Sequence, residues 1–139
     1  MIRYFEGDLF TVSSGILAHA CNPHGSWGGG IALQFKHRFP SAYQQYREHC
    51  LTNNGLIGTC LLITDGDYTI ANLFTSDKSG TDDIPANTRQ ALKHLLAQTG
   101  PGQVISMPEI NAGIFNVPWK KTENVLREFD AEFHVYRLG

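Results

Sequence analysis

Apolar residues recur along the chain with two different periods, and the change from one to the other predicts the elements. "IRYF" (2–5) and "GILAHAC" (15–21) have the compact apolar character of strands. From Ile31 to Phe39, Ile31, Leu33, Phe35 and Phe39 sit among Gln34, Lys36, His37 and Arg38, a short helix that Pro40 ends. "SAYQQYREHCL" follows as a second helix, with Ser41 as its cap and Tyr43, Tyr46 and Cys50 at spacings of three and four. "TCLLIT" and "YTIANLF" are apolar runs joined by Asp65, Gly66 and Asp67, the turn chemistry of an antiparallel hairpin. A polar loop, "SDKSGTDDIP", leads to a helix from Ala86 to Gln98, then to "GPG" and the strand "QVISMP". "PWKKTENVLREF" reads as a helix with Pro118 at its first position and Trp119, Val125, Leu126 and Phe129 near one stripe, and "EFHVYRL" closes the chain as a strand. Strands alternating with helices predict an α/β sandwich. No repeat or low-complexity segment divides the 139 residues, so one domain over 1–139 is expected.

Composition narrows the chemistry. With 42% hydrophobic and 17% charged residues and a formal charge of -2, the chain has the make-up of a globular protein. Its 11 basic residues are scattered against 13 acidic ones, which argues against a nucleic-acid surface, so a bound phosphate is expected to be held by backbone amides. Cys21, Cys50 and Cys60 show neither a CxxC nor a CxxxC spacing, which disfavours both a zinc site and a disulfide framework. That cysteine usage, a start without a signal peptide and the lack of a membrane-length apolar run predict a cytoplasmic or nuclear protein. The six histidines form no HxH or HExxH pattern, so neither a metal nor another cofactor is expected.

Two loops carry the candidate chemistry. "CNPHGSWGGGIA" joins a predicted strand to a predicted helix, and three consecutive glycines there have either a bland use, a flexible turn, or a specific one, close approach of the backbone to a ligand. "SMPEINAGIFNVPW" repeats the form, with Asn111, Ala112 and Gly113 between a strand and a helix. Together the two loops are suited to clamp a phosphate-bearing ligand from opposite sides with amides and helix dipoles. Rival chemistries fit less well. "DGDYT" satisfies the DxDxT pattern of aspartyl-phosphate phosphatases, but the hairpin explains it and too little chain follows, while no cysteine has the arginine spacing of a cysteine phosphatase.

The succession of "EGDLF", "ILAHACNPHGSWGGGIA" and "MPEINAGIFNVPW" resembles the macrodomains, ADP-ribose-binding modules, and most of all the branch containing the ADP-ribose 1''-phosphate phosphatases. The resemblance runs from about Tyr4 to the C-terminus and implies a three-layer α/β/α fold with a central mixed sheet. It implies that Asp8, flanked by Gly7 and Leu9, accepts a hydrogen bond from the adenine amino group. Asn22 would hold the distal ribose, and Trp27, Gly28, Gly29 and Gly30 would wrap that ribose and its phosphate, with Cys21 and Ile31 among the expected substrate contacts. Asn111, Ala112, Gly113, Ile114 and Phe115 match the diphosphate loop, with Phe115 against the distal ribose. His19 stands where this branch has a histidine and many macrodomains an asparagine, which makes His19 and Asn22 the catalytic candidates, His19 as general acid or base.

Other readings of these residues stay open at this point. Asp8 can simply close a turn, and Trp27 and Trp119 can be core aromatics. His19 alternates with Leu17 and Cys21 on one strand face, the place of a hydrogen-bonded core histidine, and His24, nearer the loop tip, is an alternative to it. Of the reactions the resemblance implies, metal-independent phosphate release from ADP-ribose 1''-phosphate, a by-product of tRNA splicing, is the first expectation. Non-catalytic reading of ADP-ribose and its removal from modified proteins are the alternatives. The covalent lysine mechanism of the glutamate-linked hydrolases is not expected. Its aspartate position falls at Phe115 and its lysine position near Ser76 or Asp77, beside Lys78.

Overall fold

The computed structural model describes residues 1–138. Its strands are β1 (Ile2–Glu6), β2 (Gly15–Cys21), β3 (Cys60–Asp65), β4 (Tyr68–Phe74), β5 (Val104–Pro108) and β6 (Glu132–Arg137), and its helices α1 (Gly30–Arg38), α2 (Pro40–Thr52), α3 (Ile84–Thr99) and α4 (Trp119–Leu126). One sheet runs in the order β1-β6-β5-β2-β4-β3. All neighbours are parallel except β3 and β4. Those two form the predicted hairpin, whose two-residue turn places Gly66 at φ 58°. A residue with a Cβ would resist that conformation.

Alternation along the strands builds two cores. Ile16 and Ala18 of β2 face one layer, where Ala91, Leu92 and Leu95 of α3 meet Val125 and Leu126 of α4 over Ile105, Met107, Phe133 and Val135. Leu17 and Cys21 face the other, against Phe35 of α1 and Ala42 and Tyr46 of α2. The result is the expected three-layer α/β/α arrangement around a mixed sheet.

Three helix starts differ from the sequence reading. Pro118 caps α4 from outside instead of occupying its first turn. Phe39, not Ser41, is the N-cap of α2, because Pro40 supplies a φ already suited to the first helical position. α3 begins two residues early because the Asp83 carboxylate accepts the Ala86 amide and Pro85 fits the first turn.

The topology prepares a site. β2 and β5 are adjacent and parallel, yet the chain leaves β2 for α1 on one face and β5 for α4 on the other. Loops that diverge from the carboxyl ends of neighbouring parallel strands open a crevice between them.

Candidate active site

A cleft of about 450 Å³ lies at that divergence. Its floor is Ala20 and Cys21 at the end of β2 and Pro108 at the end of β5. One wall is Asn22 and the stretch from Ser26 to Ala32, and the other runs from Glu109 to Phe115, with Lys78 contributed by the loop after β4. The Asp65-Gly66-Asp67 turn is at the opposite end of the sheet, since Tyr68 pairs with Gly15 and Phe74 with Cys21. A role for it in this cleft is thereby excluded.

The glycines serve the cleft in distinct ways. Gly30 opens α1 at φ 56°, a backbone that favours glycine. Gly29 is extended, and a Cβ there would stand 2.9 Å from Cδ1 at the tip of the exposed Ile114 side chain, which a small rotation of that side chain would relieve. The amides of Gly28, Gly29, Gly30 and Ile31 and of Gly113, Ile114 and Phe115 have no protein acceptor among the described residues. They make two rows of donors, and the first turn of α1 holds no acidic side chain that would occupy its end. Ala112 differs: its amide is bonded to Glu109 O at 3.3 Å and it does not line the cleft.

Both asparagines are spent on building the walls. Asn22 Oδ1 accepts the His24 amide at 2.8 Å and Nδ2 donates to Ser26 O at 3.0 Å, shaping the turn into the glycine triplet, while the Tyr46 hydroxyl donates to Asn22 O. One N–H of the carboxamide remains for a ligand. Asn111, at φ 67°, turns its side chain away from the cleft. Its Oδ1 accepts from Thr75 Oγ1 at 2.8 Å and its Nδ2 donates to Thr88 Oγ1 at 3.0 Å and Thr122 Oγ1 at 3.2 Å, tying the loop to the end of β4, to α3 and to α4.

His19 is not in the cleft. Its side chain lies beneath α1, fully buried, stacked on Phe35 with ring centroids 4.1 Å apart and edge-on to Trp27 at 4.8 Å. The β2–β4 register sets it opposite Asn72, whose Oδ1 meets Nε2 at 2.8 Å. Burial drives its pKa down to about 4, so the ring is neutral at ordinary pH. The structure thus places His19 where a core histidine sits, away from the cleft lining and covered by two aromatics, and gives the expected general acid or base no contact with the cleft. Cys21 does reach the floor, but burial raises its thiol well above the ordinary range, which removes it as a nucleophile.

Gly7, Asp8 and Leu9 also lie outside the cleft lining. The Gly7 amide is bonded to Arg137 O at 2.7 Å, and Leu9 is buried in the core. Asp8 caps a single 3-10 turn at Leu9–Thr11, with Oδ1 accepting the Phe10 amide at 2.9 Å and one carboxylate oxygen left over. Trp27 is a core aromatic that also faces the cleft, whereas Trp119 is half-buried and donates to the Tyr4 hydroxyl. His24, the alternative to His19, joins the loops by bonding Asp77 O through Nε2 at 2.7 Å.

Among the lining residues, the polar side chains of Ser26, Lys78 and Glu109 were not foreseen as contacts, nor were the apolar Ala20, Ala32, Pro108 and Ile110. The three polar residues lie just beyond the carboxyl ends of β2, β4 and β5, and that rule alone would have nominated their loops. Glu109 pairs with Arg137 at 3.3 Å, so the cleft carries one ion-paired carboxylate and the cation of Lys78. No group of three potential metal ligands occurs among the described residues. No described helix is long and apolar enough to cross a membrane.

Comparison with known proteins gives the family and the fold. The family model described as "Macro domain" matches residues 18–126. Two curated relatives named ADP-ribose 1''-phosphate phosphatase span nearly the whole chain. One, from Candida albicans, is 46% identical over 98% of this chain and 99% of its own length. The other, from Lodderomyces elongisporus, is 45% identical over 97% of each. The solved macrodomain of Mycobacterium tuberculosis DarG superposes with a TM-score of 0.82, at 24% identity, over 100% of this chain and 99% of its own, a likeness of fold.

Proposed function

Because the chain belongs to the Macro domain family, we propose that it hydrolyses ADP-ribose 1''-phosphate to ADP-ribose and inorganic phosphate, with water as the nucleophile and without a metal. The observation that carries the proposal is the pair of unclaimed amide rows facing each other across the cleft. Amides that no protein acceptor satisfies suit phosphate oxygens, and their dipoles are fixed before the ligand arrives.

In this reading the loop from Gly113 to Phe115 takes the diphosphate, and Gly28 to Ile31 surround the distal ribose and its terminal phosphate. Asn22 offers its remaining N–H to a ribose hydroxyl, and the free oxygen of Asp8 accepts from the adenine amino group. Water adds to phosphorus as the bond from phosphorus to the anomeric oxygen breaks. One proton of that water passes to the leaving oxygen, and the other departs with the hydrogen phosphate. Phosphoryl transfer of this kind passes through a loose transition state, so placing donors around the phosphoryl oxygens contributes more than a strong base would. His19 acts only through packing.

A phosphate-release assay on purified protein, with ADP-ribose 1''-phosphate as substrate and a chelator present, tests the reading. Release of phosphate at a rate proportional to enzyme supports it. Tight binding of ADP-ribose with no release would make the protein a reader, and release of ADP-ribose from modified proteins alone would make it a hydrolase of such marks.

A further inference from the structure

We propose that Lys78 is the specificity residue for the terminal phosphate monoester, the group by which the substrate differs from the product. The inference rests on the phosphatase reading. Lys78 is the one basic side chain among the residues that line the cleft. Its ammonium has neither a carboxylate within 4.0 Å nor a hydrogen-bond acceptor among the described residues. The other charge in the lining, Glu109, pairs with Arg137 at 3.3 Å, which leaves Lys78 as the cation of the lining without an ion-pair partner among the described residues.

The backbone around it is held in place. Lys78 sits at φ 66°, with its amide on Ser76 Oγ at 3.0 Å, while the Asp77 amide bonds Asp82 Oδ2 at 2.9 Å and the Ser79 amide bonds Asp77 Oδ1 at 2.8 Å. The bond from His24 Nε2 to Asp77 O fastens this turn to the loop that follows Asn22. The turn that carries Lys78 is therefore tied to the loop leading into the glycine triplet, whereas Asp8 does not line the cleft. Neutral amides serve a diphosphate and a monoester alike, whereas a lone ammonium on a flexible stem favours the species that carries an extra dianionic group.

The test compares the parent with Lys78→Met and Lys78→Arg in two measurements: steady-state phosphate release from ADP-ribose 1''-phosphate, and calorimetric affinity for ADP-ribose. For Lys78→Met the proposal expects kcat/KM to fall about 10- to 100-fold, the cost of one charge-assisted hydrogen bond. ADP-ribose affinity should stay within about twofold, since the product lacks the monoester, and Lys78→Arg should recover most of the loss. Unchanged turnover in Lys78→Met would overturn the proposal, as would an equal loss of ADP-ribose affinity. A third arm is independent of turnover: inorganic phosphate is titrated into the protein saturated with ADP-ribose. Weaker phosphate binding in Lys78→Met than in the parent supports the assignment, and equal binding overturns it. A parent that releases no phosphate would defeat the phosphatase reading, while this titration would still decide the role of Lys78.

Discussion

Replacing His19 with alanine is predicted to damage the fold and not the chemistry, and the structure sets the size of the effect. The ring is fully buried, stacked on Phe35 and held by Asn72 Oδ1. His19→Ala opens a cavity under α1 and leaves the buried Asn72 oxygen without its donor. A large-to-small core change and an orphaned polar atom together cost about 3–5 kcal/mol, a large part of the stability of an ordinary domain. Removing both partners is gentler, because no polar atom is then stranded, so His19→Phe combined with Asn72→Leu should recover part of the loss and retain phosphate release.

The same burial gives stability a pH slope. Since the folded pKa, about 4, lies below that of the unfolded chain, near 6.5, folding favours the neutral ring. Its contribution is complete above about pH 6.5 and is lost as pH falls through that value toward 4, and it reaches about 3 kcal/mol at most. Urea unfolding from pH 4 to 8, with turnover measured where each variant is folded, checks both effects. A His19→Ala protein as stable as the parent but inactive would refute the argument. A histidine resonance titrating near pH 6.5 and assigned to His19 would refute it as well.

Three further outcomes follow from the geometry. Asn111→Ala takes the side-chain partner from the hydroxyls of Thr75 and Thr122 and leaves Thr88 Oγ1 only its bond to Ile84 O, and should lower stability by about 2–4 kcal/mol in urea titration, with weaker ADP-ribose binding as the loop loosens. Gly30→Ala puts a Cβ on a left-handed residue and should lower thermal stability by about 1–2 kcal/mol and reduce ligand affinity. Tyr4→Phe removes the hydrogen bond that, ahead of the charges of Lys120 and Arg127, holds the Glu123 carboxyl down at about 2. A depressed carboxylate contributes stability that is lost as pH falls through its folded pKa, so this variant should unfold in acid at a higher pH than the parent.

How much could be read from the sequence depended on whether the deciding contact was local. β2 and β4 were legible to the residue, because unbroken apolar runs bounded by turn residues leave no other register of burial. The cleft's two main loops were legible from glycine and asparagine at strand-to-helix junctions. What His19 does was not, since alternation with Leu17 and Cys21 gives its face but not its cover: Phe35 comes from α1 and Asn72 from β4, 53 residues away. The Asn111 side chain was equally opaque, because its three partners come from β4's end, α3 and α4. Lys78 enters the lining only because β4 lies beside β2, an order that no local pattern encodes.

The central claim, that two facing rows of backbone amides turn an ADP-ribose cleft into a phosphomonoesterase, is tested most directly by a phosphorus NMR time course on ADP-ribose 1''-phosphate with enzyme and excess chelator. The account predicts that the monoester resonance decays into inorganic phosphate while the two diphosphate resonances keep their intensity. Loss of the diphosphate signals, or a monoester signal that persists although the ligand is bound, would contradict it.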